Sequence, residues 1–223
     1  MLRVSALTLL AWLALGIALR LTVLHAETCP GIGAAEARRA AVAAGDWIVR
    51  NQYPDGTYVY EYDREEDSLS GAYNVVRHAG VTMSLYQLVR AGESQYLEAA
   101  DRGLSFMQST LEERDDWVAF RSPVGSRVSL GANALLLAGL AQRRLATGEA
   151  GHDTFMRALG RFLLALQRPD GSMLSEWDPA AGAPVPDVTS RYATGEAFWA
   201  LALLSRVFPD EDWGRAAHAT GRY

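Results

Sequence analysis

Residues 51–63 read NQYPDGTYVYEYD, and residues 166–178 read LQRPDGSMLSEWD. Each copy consists of a Pro-Asp-Gly turn, a short run of extended character and an acidic-aromatic pair. Proline presets the backbone for such a turn, and glycine accepts the positive φ that the turn requires. The middle of the chain has a degenerate copy, ERDDWVAFR. The recurrence predicts that one structural unit is used several times.

The repeated unit is predicted to be a helical hairpin. Apolar residues recur at helical spacing in six segments, which form three pairs. The first helix of each pair ends at Gln52, Gln108 or Gln167, which gives successive offsets of 56 and 59 residues. A period of that size indicates a helical repeat array, and strand-like alternation is almost absent. We therefore predict an all-α fold.

The long loops are predicted to lie at one end of this array. The connections inside each pair are long, whereas those between pairs are short, as in RAGES and ATGEAGHD. Long loops in a compact domain usually carry function. Because they recur at the same point in every unit, they must all emerge on one face, which we take as the functional face.

Helical hairpins with Gln-x-Pro-Asp-Gly ends and aromatic-rich loops resemble the alpha/alpha toroid proteins. This superfamily includes six-hairpin glycosidases, polysaccharide lyases, sugar epimerases and terpene cyclase-like enzymes. The resemblance covers residues 34–223 at the level of architecture. Met173 replaces the aromatic residue that closes the similar turn of terpene cyclases, although Tyr58 keeps it, and the Asp-rich motif of those cyclases does not occur.

A complete toroid needs more hairpins than this chain contains. The sequence has three hairpins and EDWGRAAHATGRY, which reads as the start of a fourth. The resemblance therefore implies an alpha/alpha toroid-type array of helical hairpins that is incomplete. Since three hairpins leave two open apolar edges, we expect either self-association or missing C-terminal hairpins.

Polar residues gather at the starts of the second helices of the pairs. Aligning these helices by their ends places Arg77 level with Asn133, and His78 level with Glu196. In alpha/alpha toroids these inner-helix starts line the central cavity, and helix N-termini also suit anionic groups. The residues that the resemblance brings together are Arg77, His78, Asn133, Arg191, Tyr192 and Glu196, with Asn74 beside them.

The chemistry of this cluster suggests proton transfer. We predict His78, Glu61 and Glu196 as catalytic residues, because an imidazole titrates near neutrality and carboxylates exchange protons with it. Arg77 is predicted to orient an anionic group. Cations at a helix start oppose the helix dipole, so Arg77 and His78 need a carboxylate partner, with Glu61 the first choice and Asp63 the second. The alternative is that Arg77 and His78 only tie down the preceding loop, and that Glu196 is merely a favourable first-turn acid.

The aromatic residues of the loops suggest a sugar ligand. Tyr60 and Tyr62 alternate with Glu61 and Asp63, and Trp177 occupies the second copy of the motif. A sugar ring stacks its apolar face on such an aromatic while its hydroxyls meet the acids. Glycoside hydrolysis also needs two carboxylates that flank one bond. Hydrolase, lyase and epimerase activities all remain open, as does a loop that simply covers the mouth of the barrel.

We therefore predict a carbohydrate-active enzyme that uses a loop-face cavity for a glycan or another small polar substrate. The alternative is a non-catalytic helical-repeat module that binds a glycan or an envelope protein. An isoprenoid cyclase is disfavoured by the polar loop face. Phosphate loops, nucleophile elbows and metal-ligand motifs are absent from the sequence, so no cofactor and no metal are predicted. The net charge of −5 and the scattered arginines argue against nucleic acid.

The N-terminus predicts export. Residues 1–26 combine a basic start with an apolar run, as in a signal peptide, and residues 27–223 form the helical-hairpin domain. The run before Arg20 is shorter than a membrane span of about 20 residues. Ala26 suits a cleavage site but Leu24 is too large, so an uncleaved membrane anchor stays open. We expect a periplasmic or extracellular protein, and we regard the single Cys29 as incidental.

Overall fold

The computed structural model describes residues 2–23 and 31–223, with side chains in the first helix described from Ala6 onward. The predicted cleavage site at Ala26 and the single Cys29 lie outside the described residues. The chain divides into two compact units, residues 1–38 and residues 39–223. We describe each unit by itself.

The first unit consists of helix α1 and the first turn of helix α2. Helix α1 spans Leu2–Thr22, and its described apolar side chains, such as Leu10 and Trp12, are exposed. Of the described residues, no helix is both long enough and apolar enough to cross a membrane. Helix α2 spans Ala34–Arg50 and continues into the second unit.

The second unit is an array of helical hairpins, as the sequence predicted. The inner helices α3, α5 and α7 lie side by side, and the outer helices α4, α6 and α8 each contact the inner helix that precedes them. Three hairpins and the outer helix of a fourth are present, which confirms the all-α fold of a partial toroid. The helices are α3 (Val75–Arg90), α4 (Leu97–Gln108), α5 (Leu130–Thr147), α6 (Asp153–Ala165), α7 (Ala193–Val207) and α8 (Trp213–Arg222), with a 3-10 turn at Ser94–Tyr96.

Short strands occupy the long loops between each outer helix and the following inner helix. The periodicity of the sequence did not indicate them, because two or three residues are too few to show alternation. The strands are β1 (Tyr62–Asp63), β2 (Ser68–Leu69), β3 (Leu111–Glu113), β4 (Val118–Phe120), β5 (Val128–Ser129), β6 (Glu176–Asp178) and β7 (Ala183–Pro184). All pairings are antiparallel, and β5 pairs with β6, so the second and third loops share one sheet.

The glutamine of the repeated turn links successive outer helices. The Gln52 side-chain amide donates to the backbone carbonyl of Ala99 in α4, at 2.9 Å. The Gln167 amide donates in the same way to Ala216 in α8, at 3.0 Å. The motif therefore fixes the spacing between neighbouring hairpins, and this is a structural role.

The glycine of the same turn sits against the backbone of the next outer helix. Gly56 has a φ of 89° and Gly171 a φ of 90°. A Cβ at either position would overlap a backbone carbonyl oxygen, that of Arg102 or Ala219. Only glycine allows both the turn and this close approach.

Helix α5 forms the centre of the core because it lies between α3 and α7. It is buried along most of its length, from Leu130 to Arg143. Gly139 faces the backbone of Met83 in α3, where a Cβ would lie 3.2 Å from the Met83 Cα atom. Small residues at this contact bring the inner helices close together, and their starts therefore converge on the loop face.

Candidate functional site

The starts of the inner helices are held by side-chain caps. The Asn74 Oδ1 atom accepts a hydrogen bond from the Arg77 backbone N–H, at 3.0 Å. Ser129 caps α5 in the same way through the Ala132 N–H, at 3.4 Å. Such caps satisfy backbone donors that the helix itself leaves unpaired. Asn74, which was predicted to bind substrate, thus has a capping role in the structure.

Glu196 reaches the point where three inner helices meet. Its Oε2 atom lies 2.6 Å from the position that a Cβ would take on Gly131, and Val76 Cγ1 lies 3.7 Å from that same position. Within the described part of the chain, the carboxylate has no hydrogen-bond donor and no ion-pair partner. Burial raises the pKa of Glu196 above its usual value. A half-buried, unpaired carboxylate therefore sits among the starts of α3, α5 and α7.

Arg77 is placed near this point but does not pair with the acids expected from the sequence. Its guanidinium lies over the Tyr60 ring, 5.1 Å from the centroid, which is a cation–π geometry. Among the described residues it forms no ion pair with Glu61 or Asp63. Asp63 instead accepts hydrogen bonds from backbone N–H groups of the following turn, the nearer at 2.8 Å from Glu65.

His78 lies in the interior rather than at a cavity mouth, since its residue is only 2% exposed. Its Nε2–H donates to the Gly103 carbonyl at 2.8 Å, because a carbonyl can only accept. Its Nδ1 atom then accepts from the Tyr73 hydroxyl at 2.6 Å. That hydroxyl accepts in turn from the Tyr58 N–H at 3.1 Å. The Phe106 ring covers the imidazole, with centroids 4.7 Å apart.

The environment of His78 keeps it neutral. Burial lowers its pKa from the usual 6.5 to about 4. Proton exchange with a ligand would require one of its two hydrogen bonds to break first. The arrangement matches the alternative in which His78 anchors the preceding loop, here through Tyr73.

Two other predicted residues are part of the interior. Asn133 is fully buried, and its amide accepts from the Phe120 N–H at 2.6 Å and donates to the Phe120 carbonyl at 3.0 Å. Trp177 is buried against Trp117, edge to face, with ring centroids 5.0 Å apart. Its indole Nε1 is buried and lacks a hydrogen-bond partner in the described part of the chain. Both residues hold the second and third loops on the array.

The remaining predicted residues lie at the surface of the loop face. The Tyr62 hydroxyl donates to Asp67 at 2.5 Å within the first loop. Arg191 and Tyr192 precede α7, and both are exposed, Tyr192 to 75%. Among the described residues Arg191 makes no ion pair. These side chains are free to meet a ligand.

The three predicted catalytic residues differ in exposure: His78 is buried, Glu196 is half-buried and Glu61 is exposed. Glu61 lines a cavity of about 170 Å³ in the first loop, and neither His78 nor Glu196 lines that cavity. Sequence reasoning did not include Tyr53 and Tyr73, which line it, because neither belongs to the alternating segment. It also missed Gly131, which lies two residues before Asn133 in the sequence.

Comparison with known proteins indicates the fold. No protein-family model matches the chain, and no curated protein matches its sequence. Cellobiose 2-epimerase from Spirochaeta thermophila DSM 6192 has a similar structure, with a TM-score of 0.65 and 16% identity over 83% of this chain. A D-mannose isomerase has a TM-score of 0.67 and 12% identity over 87% of this chain. The chain spans 52% of the length of each. It thus shares the alpha/alpha toroid fold of these two sugar-processing enzymes over about half of their length.

Proposed function

We propose that the protein is an exported carbohydrate-active enzyme of hydrolase, lyase or epimerase type. The observation that carries the proposal is the unpaired, half-buried carboxylate of Glu196 at the meeting point of three inner helices. The likeness of the fold to a cellobiose epimerase and a mannose isomerase supports a saccharide as substrate. Fold likeness alone does not define a reaction, so the site residues carry the argument.

Glu196 has the properties of a general acid or base. A raised pKa brings a carboxyl group closer to neutrality, where it can both give and take a proton. Arg77 and Arg191 are exposed cations on the same face and would orient anionic or hydroxyl groups of the substrate. Tyr192 would offer an exposed ring to the apolar face of a sugar.

The second candidate is a non-catalytic module that binds a glycan or an envelope protein. The internal hydrogen bonds of His78 favour it, because they occupy both ring nitrogens and so remove the imidazole as a second acid or base. Hydrolysis of a glycosidic bond ordinarily needs two such groups.

Export and association belong to the same proposal. The exposed apolar side chains of α1 support an export signal or a membrane attachment. Cell fractionation with an antibody to the C-terminus tests this, and intact protein in the cytoplasm would contradict it.

Self-association through α7, where Phe198 is 41% exposed, is likewise proposed.

The enzyme proposal is tested with two variants at one contact. Glu196→Gln removes the charge and keeps the shape, while Gly131→Ala pushes the flexible carboxylate aside. We expect each to lower the turnover of cellobiose, mannose or an oligosaccharide panel by at least about 100-fold, the usual scale of one general acid or base. Glu98→Gln, at an exposed ion pair, is the control and should retain activity.

The outcomes separate the two candidates. Saccharide binding without turnover in the wild-type protein would support the binding module. Turnover that survives Glu196→Gln would exclude Glu196 as the catalytic acid. Melting temperatures of both variants should stay close to the wild-type value, because neither change disturbs a backbone contact.

A further inference from the structure

The first long loop forms a second concave site that does not include Glu196. We propose that this tyrosine pocket, lined by Tyr53, Tyr60, Glu61, Leu69, Gly71 and Tyr73, binds one neutral hexopyranose unit. Its volume of about 170 Å³ suits a small ligand such as a single sugar ring. The proposal does not depend on the function proposed for Glu196.

Aromatic rings supply the apolar walls of the tyrosine pocket. Tyr53 is 41% exposed, so much of its ring is free for contact. The Tyr60 ring is tilted by 56° to the Tyr73 ring, with centroids 6.2 Å apart. Tyrosine combines an apolar ring with a hydroxyl, and a sugar combines an apolar ring face with hydroxyl groups. The two surfaces are complementary.

Glu61 supplies the polar side of the tyrosine pocket. Its carboxylate is exposed and, within the described residues, has no ion-pair partner. Its backbone carbonyl accepts from the Ser70 N–H at 3.0 Å, which fixes its position across the loop. A carboxylate binds sugar hydroxyl groups through charge-assisted hydrogen bonds and repels an anionic sugar. Arg77 lies over the Tyr60 ring, 5.1 Å from its centroid, but does not line the pocket. Glu61 is the charged residue among the described lining residues, so the pocket favours a neutral ring.

Hydrogen bonds to the core hold the inner wall in place. The Tyr73 hydroxyl is fixed between the Tyr58 N–H and His78, and His78 is fixed to the Gly103 carbonyl in α4. A wall that is already ordered does not lose conformational entropy when a ligand binds. The buried His78 therefore preorganises the tyrosine pocket instead of exchanging protons in it.

The third loop provides a matched comparison within the same chain. It repeats the Pro-Asp-Gly turn and the acid, but Arg168 stands in place of Tyr53, and Glu176 in place of Glu61. Glu176 there belongs to strand β6 of the three-stranded sheet. The same motif without the aromatic walls should bind no sugar.

The proposal is tested by titrating the full chain with methyl glucopyranoside and methyl mannopyranoside, followed by saturation-transfer NMR. We expect saturable binding in the millimolar range, where a single sugar ring gives about 4 kcal/mol. Tyr53→Ala and Glu61→Gln should each weaken binding by about tenfold, the effect of losing one stacking or charged contact. Arg168→Ala and Glu176→Gln should change it by less than about twofold, within the usual scatter of surface substitutions.

Each contrary result overturns a stated part. Absence of saturable binding, or unchanged binding by Glu61→Gln with a native melting curve, would refute the tyrosine pocket. Loss of binding in Glu196→Gln would mean that the sugar lies at the inner helices instead. Tighter binding of glucuronate than of the methyl glycosides would refute the preference for a neutral ring. Turnover, which tests Glu196, is not measured in this experiment.

Discussion

Replacing His78 with alanine should destabilise the protein strongly. The change removes a ring that is 2% exposed and lies between Phe106 and Tyr58, at centroid distances of 4.7 and 5.0 Å. Deleting a buried side chain of this size costs about 3 kcal/mol. The Gly103 carbonyl also loses its side-chain donor, which adds about 1 kcal/mol. We therefore expect a loss of about 4 kcal/mol in the free energy of unfolding.

Urea unfolding followed by tryptophan fluorescence measures this loss, since Trp117 and Trp177 are buried in the folded protein and become exposed when it unfolds. His218→Ala is the control, because His218 is exposed and should change stability by less than about 0.5 kcal/mol. If His78→Ala lay within about 1 kcal/mol of the wild type, the hydrogen-bonded chain through Tyr73 would have no structural importance. A cavity-mouth role for the imidazole would then return to consideration.

Two further predictions concern the loss of stability at low pH and the glycine of the repeated turn. The pKa of His78 is about 4 in the folded protein and 6.5 in the unfolded chain, so as the pH falls the unfolded chain binds a proton first. The neutral imidazole therefore contributes about 3 kcal/mol to the free energy of unfolding, a contribution that is complete above pH 6.5 and is lost as the pH falls through 4. His78→Gln should remove this part of the pH dependence in urea melts, and an unchanged slope would contradict the prediction. Gly56→Ala should lower the free energy of unfolding by at least about 3 kcal/mol, because the new Cβ would overlap the Arg102 carbonyl oxygen. Gly148→Ala is the control: its φ is 75° but the space around it is open, so it should lower the free energy of unfolding by about 1 kcal/mol. Equal melting temperatures for the two variants would refute the importance of the backbone contact.

The fold could be predicted from the sequence because the features that produce it, the apolar spacing and the turn motif, recur along the chain. Apolar spacing gave the six hairpin helices, and the Gln-x-Pro-Asp-Gly turns gave the unit length. The turn residues act locally, through fixed φ values at Gly56 and Gly171, and local conformational rules are readable from a single chain. The short strands were missed because two or three residues are too few to show alternation, and because one pairing, between Val128 and Trp177, joins distant residues.

The candidate site was only partly predictable, because its chemistry depends on where each side chain points and not only on its position in the sequence. His78 and Arg77 are neighbours in the sequence, yet one side chain points into the core and the other to the surface. Which of the two faces inward depends on where α4 places the Gly103 carbonyl. Glu196 could be placed near the inner-helix starts by alignment, but its lack of a partner could not. Glu196 lacks a partner because, among the described residues, the helices around it place no hydrogen-bond donor and no cation against its carboxylate.

The repeated turn links some neighbouring outer helices and not others. The glutamine clamp joins α2 to α4 and α6 to α8, but in the described chain Gln108 makes no such bond between α4 and α6. That junction is formed instead by Trp117, whose ring is tilted against that of Phe162 with centroids 5.0 Å apart, by an Arg161 hydrogen bond to the Asp116 carbonyl, and by the pairing of β5 with β6. The middle of the array is therefore joined through its long loops, whereas the junctions on either side are joined by the glutamine at the end of an outer helix. This loop-mediated junction lies between the helix that carries Glu196 and the helix that carries Arg77.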